Sequence, residues 1–306
     1  MSRKPFYAVL VLMAGCGAAA CMGTRDPNVG LESAREIWSD VLRDVDEVGL
    51  HATRVPVHEE MELGATLAAQ VSSWGTENAK DSEYVTAVAA GLVPHVNRKG
   101  MRYQFHVIQS PQVNAFALPG GQVYVLSGLM EFLTSESELA AVLGHEMSHV
   151  DLRHCIERYQ YEIALKRVGA GDAAGLASLA HGLFAIGYSQ DQESDADASG
   201  ERLAIEAGYD PDAAAAVFDR MKVKFGEQAA PRAETPIGEA GQAVWEALGS
   251  YFQSHPPSEQ RARQLREMAA KNRSTIGGQV IYRGVRNFEE RVPRSGQEFA
   301  AERHVY

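Results

Sequence analysis

Long apolar runs are missing from this sequence, and that absence limits what the chain can be. No stretch of 18 or more uninterrupted apolar residues occurs, whereas a bilayer-spanning helix takes about 20. Cysteine is scarce: three residues, Cys16, Cys21 and Cys155, imply no disulfide framework. A surplus of positive charge is lacking as well. Twenty-nine Lys and Arg face 40 Asp and Glu, a net charge of −11, which removes the electrostatic case for a nucleic-acid partner. There is no internal repeat, and no tetratricopeptide pattern follows the central region. What remains, 45% hydrophobic and 23% charged residues in a chain of 306, is the composition of an ordered globular protein of one or two domains.

The first residues differ from the rest. Met1-Ser2-Arg3-Lys4, an apolar run over 6–13 and then Ala14-Gly15-Cys16 follow the layout of an export signal. A cysteine directly after small residues resembles the lipobox of bacterial lipoproteins, which makes Cys16 the expected lipidation site. Gly17 rather than aspartate after it points, by the same analogy, to the outer membrane. Cys21, after Ala18-Ala19-Ala20, is a second candidate, and an ordinary secretory signal would leave both cysteines incidental. In each case the protein is expected outside the cytoplasm, in the periplasm.

Beyond the leader, apolar residues recur at helical spacing over 31–48, 59–73 and 82–97, the last with Gly100 as its stop. Alternation predicts strands over 103–108 and 122–126, the latter after the Pro119-Gly120-Gly121 turn signal. Asn114 to Leu118 can form a third short strand. A longer helix is expected from Ser135, whose Ser135-Glu136-Ser137-Glu138 start offers a cap and acids that complement the helix dipole. Further helices are read over 193–207, 211–223 and from Ser258 onward. The Ala- and Gly-rich stretch 169–187 reads as a buried or mobile helix, and 226–241 as a loop. The tail beyond Asn272 shows no assignable pattern.

The expected long helix carries His145-Glu146-Met147-Ser148-His149. At about 100° per residue its two histidines sit one turn apart on one face and can grip a single metal ion. Zinc suits two imidazoles and a carboxylate in a tetrahedral site with a fourth position open. Glu146 is then placed to act as general base in metal-assisted peptide hydrolysis. The preceding Leu139-Ala140-Ala141-Val142-Leu143-Gly144 is apolar, so the histidines emerge from a buried helix, where unpaired imidazoles would be costly. A third ligand is sought in Asp191-Gln192-Glu193-Ser194-Asp195-Ala196-Asp197, where Glu193 and Asp197 are again one turn apart. His154 would lie about 180° from His145, and Cys155 about 240° beyond His149, on a continuous helix, so both are expected to face away from the metal. His51, His58, His95, His106 and His181 have no partner at ligand spacing.

With that stretch included, the sequence resembles the family of zinc metallopeptidases that contains the CAAX prenyl proteases, HtpX, the mitochondrial Oma-type proteases and the periplasmic BepA-like proteases. The matching pieces are Asn114 to Gly121, Leu143 to His149, Gly187 to Glu193 with Asp195-Ala196-Asp197, and Ser254-His255-Pro256, in the family's order. The resemblance implies that His145, His149 and Glu193 bind one zinc ion, that Glu146 is the general base, and that Asp197 is the carboxylate orienting a ligand. Glu201, Asp195 and Asp191 are then surface charges. It also implies that Asn114, Ala115, Phe116 and Ala117 form a substrate-pairing edge strand, although the same strand could simply be interior to the sheet. His255 is a candidate gate or fourth ligand, and Arg261 a candidate oxyanion stabiliser; an ordinary loop histidine and a surface helix arginine are the plain alternatives.

The expected fold is an α+β, mainly α-helical gluzincin (zincin-like) domain with a small β-sheet beside the active-site helix. The organisation is a leader (1–21), an N-terminal helical segment (22–54), a zinc metallopeptidase domain (55–271) and a C-terminal tail (272–306). The expected function is zinc-dependent endopeptidase of the bacterial cell envelope, acting on misfolded or unassembled envelope proteins, with neither a nucleic-acid partner nor a transmembrane domain. The rival is a chaperone-like or assembly-quality-control binding factor with a latent, His255-blocked zinc site.

Overall fold

In the computed structural model, residues 54–72, 75–167, 188–225, 255 and 259–305 are described. The leader with Cys16 and Cys21, the helix expected over 31–48, and the stretches 169–187 and 226–241 lie outside them. Pro56, in extended geometry, precedes helix α1 (Val57–Val71), which has Glu59 and Glu60 in its first turn as the helix dipole favours. Asn78 caps α2 (Ala79–Ala89) by accepting from the Asp81 amide. This helix is shorter than its apolar periodicity predicts. Gly91 follows its end, and Pro94, with no N–H to donate and a ring that would clash with the carbonyl four residues back, cannot continue the α-helix, so the chain proceeds through a single 3₁₀ turn over Val93–His95.

Three strands follow: β1 (Gln104–Ile108), β2 (Ala115–Leu118) and β3 (Gln122–Leu126). Their order is β1-β3-β2, with β3 parallel to β1 and antiparallel to β2. The fragment expected between the two predicted strands is therefore an edge of the sheet. The β2–β3 connection is Pro119-Gly120-Gly121, whose glycines adopt φ of 80° and 86°, open to glycine without steric cost. A Cβ on Gly120 would come within 2.7 Å of the Glu60 carbonyl, so the turn also admits α1 at close range. One apolar cluster joins Leu67 and Val71 of α1 to Ile108, Phe116, Leu118, Tyr124 and Leu126. The larger core joins α2 and alternate strand residues such as Val107, Ala115, Val123 and Val125 to the next long helix.

After α3 (Ser127–Phe132) comes that helix, α4 (Glu136–Asp151), capped by Ser135 as expected. Every residue of α4 is buried. It is followed by α5 (His154–Arg167), α6 (Gln190–Glu206), α7 (Ala213–Phe225) and α8 (Glu259–Thr275). Ser189 and Gln192 close a capping box at the start of α6. Among the described residues no helix is long and apolar enough to cross a membrane. The result is a mainly helical α+β domain with a small mixed sheet.

The tail is structured. Strand β4 (Val280–Tyr282), helix α9 (Val285–Glu290) and strand β5 (Arg303–Val305) form a small hairpin unit that holds the start of α4. The Glu136 and Ser137 amides donate to the Gly284 and Arg283 carbonyls, and Ser137 Oγ to the Tyr282 carbonyl. First-turn helix amides lack intrahelical acceptors, and the tail supplies them. The buried Glu136 carboxylate accepts from Tyr84, Tyr209 and the Arg294 amide.

Glu201 departs from expectation. It is buried rather than on the surface, and accepts a hydrogen bond from Asn272 on α8 at 2.6 Å, whereas Asp191 and Asp195 are exposed. Burial, aided by Asp197 and Asp212 and opposed by Asn272, raises the Glu201 pKa to about 7. The native state therefore holds this proton more tightly than the unfolded chain, and the group's contribution to stability is lost as pH rises from the ordinary glutamate range through about 7. Glu201→Gln is expected to raise the unfolding midpoint at pH 8 by roughly 2–5 °C and to leave it unchanged at pH 4.5. Equal shifts at the two pH values in calorimetry would contradict this assignment.

Candidate metal centre

Helices α4 and α6 meet at two glycines. A Cβ on Gly144 would lie 2.6 Å from the Gly200 carbonyl oxygen, and one on Gly200 would lie 2.6 Å from the His145 amide nitrogen. Only hydrogen at both positions permits this approach, which sets the register of α6 against the histidine face of α4. Glu193 and Asp197, two turns and one turn before Gly200, are thereby brought against His145 and His149.

The inner nitrogens converge. His145 Nε2 and His149 Nε2 are 3.0 Å apart, and the Glu193 carboxylate lies 3.4 Å from the first and 3.7 Å from the second. Ligands of a tetrahedral zinc ion at about 2.0–2.1 Å stand about 3.4 Å from one another, so these separations suit such an ion. His255 Nδ1 joins the group, 3.2 Å from His145 Nε2 and 2.9 Å from Glu193 Oε1. One ligand atom from each of these four buried residues falls within 4.8 Å of all the others. Two imidazoles with their inner nitrogens face to face, a carboxylate and a third imidazole form a donor set that fits zinc.

Asp197 and Glu193 have defined partners, whereas the buried Glu146 oxygens have no hydrogen-bond partner among the described residues. His145 Nδ1 pairs with Asp197 Oδ1 at 2.9 Å, the arrangement that fixes a ligating imidazole's tautomer. Arg261, fully buried on α8, reaches both acids: Nε and Nη2 donate to Asp197 at 2.8 Å, and Nη1 lies 2.8 Å from Glu193 Oε2. Burial would raise the Glu193 pKa, but Arg261, His255 and His145 outweigh it and hold the carboxyl well below the usual range. Asp197 is lowered against burial by Arg261 and His145 in the same way. Burial lowers His149 well below the ordinary imidazole value, with help from His145, which favours the neutral form that metals require. Glu146 is fully buried, its Oε1 3.3 Å from His255 Nε2. Burial raises its pKa, against the opposing effects of His255, His145 and the Ala117 backbone.

Of the residues read as a substrate edge, Ala115, Phe116 and Ala117 lie in β2 and Asn114 just before it, and all four are buried. The Asn114 side chain accepts from the Ala115 amide, and the Asn114 carbonyl accepts from the Leu126 amide. Ala117 faces the site, its carbonyl 3.7 Å from Cys155 Sγ. His255 is described without its immediate neighbours, so the rest of the Ser254-His255-Pro256 motif lies outside the described residues.

His154 stays out of the ligand group, as expected, but the continuous helix assumed for it does not hold, and it does not lie on the far side: its Nδ1 is 3.1 Å from His149 Nδ1, the nitrogen turned away from the ligand group. The helix that would have carried it to the far side ends at Asp151, and Arg153 adopts φ of 71°, so the chain turns back before α5 begins. Neither glycine nor proline marks that break. Tyr188 also escaped notice. It stacks on His149 with centroids 3.7 Å apart and planes 15° apart, a long-range contact without a local pattern. Cys155 is buried, and burial pushes its thiol pKa up to about 12, which keeps it protonated and unreactive.

Comparison with known proteins agrees with this geometry. The family model described as Peptidase family M48 matches residues 79–269. The mitochondrial metalloendopeptidase OMA1 of Schizosaccharomyces pombe is 31% identical over 191 residues, covering 60% of this chain and 52% of that protein. Metalloprotease LoiP of Escherichia coli is 30% identical over 221 residues, covering 68% of this chain and 76% of LoiP. The β-barrel assembly-enhancing protease of Escherichia coli is 28% identical over 204 residues, or 60% of this chain and 42% of that protein. The chain thus spans about half the length of the first and third of these relatives.

Gly200→Ala is expected to force α4 and α6 apart, costing about 1–3 kcal/mol of stability and weakening zinc binding at least tenfold. Chemical unfolding and chelator competition measure the two effects. Wild-type zinc affinity in a folded variant would show that the glycine contact does not set the ligand spacing.

Proposed function

The chain belongs to Peptidase family M48, and on that footing we propose that it is a zinc-dependent endopeptidase. The observation that carries this reading is the convergence of His145 Nε2, His149 Nε2 and a Glu193 oxygen from two separate helices beside the buried Glu146 carboxylate. His145, His149 and Glu193 would hold the ion. Zinc, when bound, supplies the Lewis acidity that makes water nucleophilic near neutral pH and draws charge from a substrate carbonyl. Glu146, its pKa raised by burial, is suited to take a proton from the attacking water and return it to the leaving amine. Asp197 keeps the Nδ1 proton of His145 directed away from the ligand face. Arg261 balances the charge of Asp197 and Glu193, and for the oxyanion role that the resemblance gives it, one of its nitrogens would have to turn from Glu193 toward substrate.

The site as it stands is closed. The His255 ring lies between the ligand group and Glu146, with Nδ1 toward Glu193 and Nε2 toward Glu146, where attacking water would have to sit. We read His255 as the gate: its withdrawal opens the fourth position and gives substrate access to the Ala115–Leu118 edge. This observation also keeps the second reading alive, a quality-control or assembly factor that binds client chains with its zinc site shut. The substrate class proposed is misfolded or unassembled proteins of the bacterial envelope, bound as extended backbone at the edge strand. The export-signal pattern, with Cys16 as its lipidation site, supports a periplasmic location anchored to the outer membrane. One relative is named for enhancing β-barrel assembly, in keeping with that substrate class.

Glu146→Gln is expected to lower cleavage of an unfolded substrate such as casein by at least roughly 10³-fold while zinc content, measured by metal analysis, stays at the wild-type level. Retained cleavage would remove Glu146 from the reaction. Cleavage absent from wild type and variant alike, with client binding kept in both, would favour the binding-factor reading. His255→Ala is expected to raise casein cleavage several-fold; unchanged or lower activity would assign His255 to substrate handling instead of gating.

A further inference from the structure

Asp197 lies on the outer nitrogen of the first histidine of the motif, but among the described residues no carboxylate is placed on that of the second. The outer nitrogen of His149 meets another imidazole instead, that of His154, Nδ1 to Nδ1 at 3.1 Å. Both rings are buried. Two imidazole nitrogens at hydrogen-bond distance require one to carry the hydrogen and the other to accept it. For His149 Nε2 to present a lone pair to an ion, the neutral ring must carry its hydrogen on Nδ1. His154 must then accept at Nδ1 and carry its own hydrogen on Nε2. We propose that His154 is a positioning residue for the metal: by accepting the Nδ1 hydrogen of His149 it fixes the tautomer and direction of the second ligand.

The backbone around His154 is built for this contact. Arg153 sits in the left-handed region at φ 71°, uncommon outside glycine and a cost that the surroundings must sustain. Its side chain is tied down, Nη2 donating to the Val55 carbonyl at 3.2 Å with Nη1 3.9 Å from Glu60. The kink reverses the course that a continuous helix would take and aims His154 at His149. Tyr188 lies flat on the His149 ring, its hydroxyl 3.3 Å from Cys155 Sγ and its ring 4.3 Å from the Arg158 guanidinium carbon. The plane of His149 is thus set by Tyr188, and its hydrogen placement by His154. A neutral acceptor here also adds no negative charge to a buried site whose Arg261 already serves two carboxylates.

The inference rests on the zinc reading, and the experiment separates the two. Zinc affinity of the full chain is measured by competition with a chromophoric chelator for wild type and for His154→Leu, His154→Asn and His154→Gln, with unfolding midpoints of the metal-stripped proteins recorded alongside. Asn places an acceptor oxygen where the imidazole carries Nδ1, whereas Gln places it where Nε2 stands. The expected result is a roughly 10- to 100-fold loss of affinity in the Leu and Gln variants, with the Asn variant close to wild type. If the Leu variant does not fold, the Asn and Gln pair decides alone. Equal affinities for Asn and Gln, or a folded Leu variant binding as tightly as wild type, would overturn the assignment. A wild-type chain that binds no zinc would overturn the zinc reading together with it.

Discussion

The contact between Gly144 and Gly200 is the constraint on which the rest of the site depends. A two-histidine motif on one helix offers two ligands and no more; the remaining carboxylate must be delivered from elsewhere in the chain to within a fraction of an ångström. Here the delivery is steric. With hydrogen as the only side chain on each helix at the crossing, the backbones approach until a methyl group on either would strike the other at 2.6 Å. Packed interiors of this kind do not deform continuously, so the register of Glu193 and Asp197 against His145 and His149 follows from that crossing.

Bringing acids and imidazoles together out of water is costly unless the charges are matched. Arg261 provides the match, donating to both oxygens of Asp197 and lying against Glu193. The guanidinium fork suits this double task, where an ammonium would act as a point charge. It also makes α8 part of the metal centre. The other end of α4 is secured by polar groups too: Glu60 pairs with Arg98, and Asp151 accepts from the Asn97 and Arg98 amides. The tail closes the N-terminal end through Ser137, Glu136 and Arg294. A wholly buried helix is thus held in rotation and translation by hydrogen bonds at both ends, and its histidines inherit that placement.

The closed arrangement has a simple physical meaning. His255 brings an imidazole to the ligand group and lies 3.3 Å from Glu146 at the same time, while the buried Glu146 oxygens keep no hydrogen-bond partner of their own among the described residues. On the gate reading proposed for His255, its withdrawal would expose both to solvent and substrate together.

Much of this was legible in the residues. The motif spacing placed His145, Glu146 and His149 on one helical face, the acid pair placed Glu193 and Asp197 one turn apart, and the strand and cap signals fell within a few residues of the observed elements, because helix and strand periods are local properties of the backbone. The early end of α2, the burial of Glu201, the ordered tail and the inward turn of His154 were not legible, since each depends on contacts made across the fold. Sequence alone determined the kind of chemistry available: two imidazoles and a base on a buried helix, with acids one turn apart to complete the site. Tertiary structure decided which acid meets the ligand face, that Arg261 balances it, and that His154 and Tyr188 stand behind His149. The glycine crossing, the buried ion pair and the left-handed Arg153 join residues tens of positions apart, and such pairings leave no periodic trace in the chain.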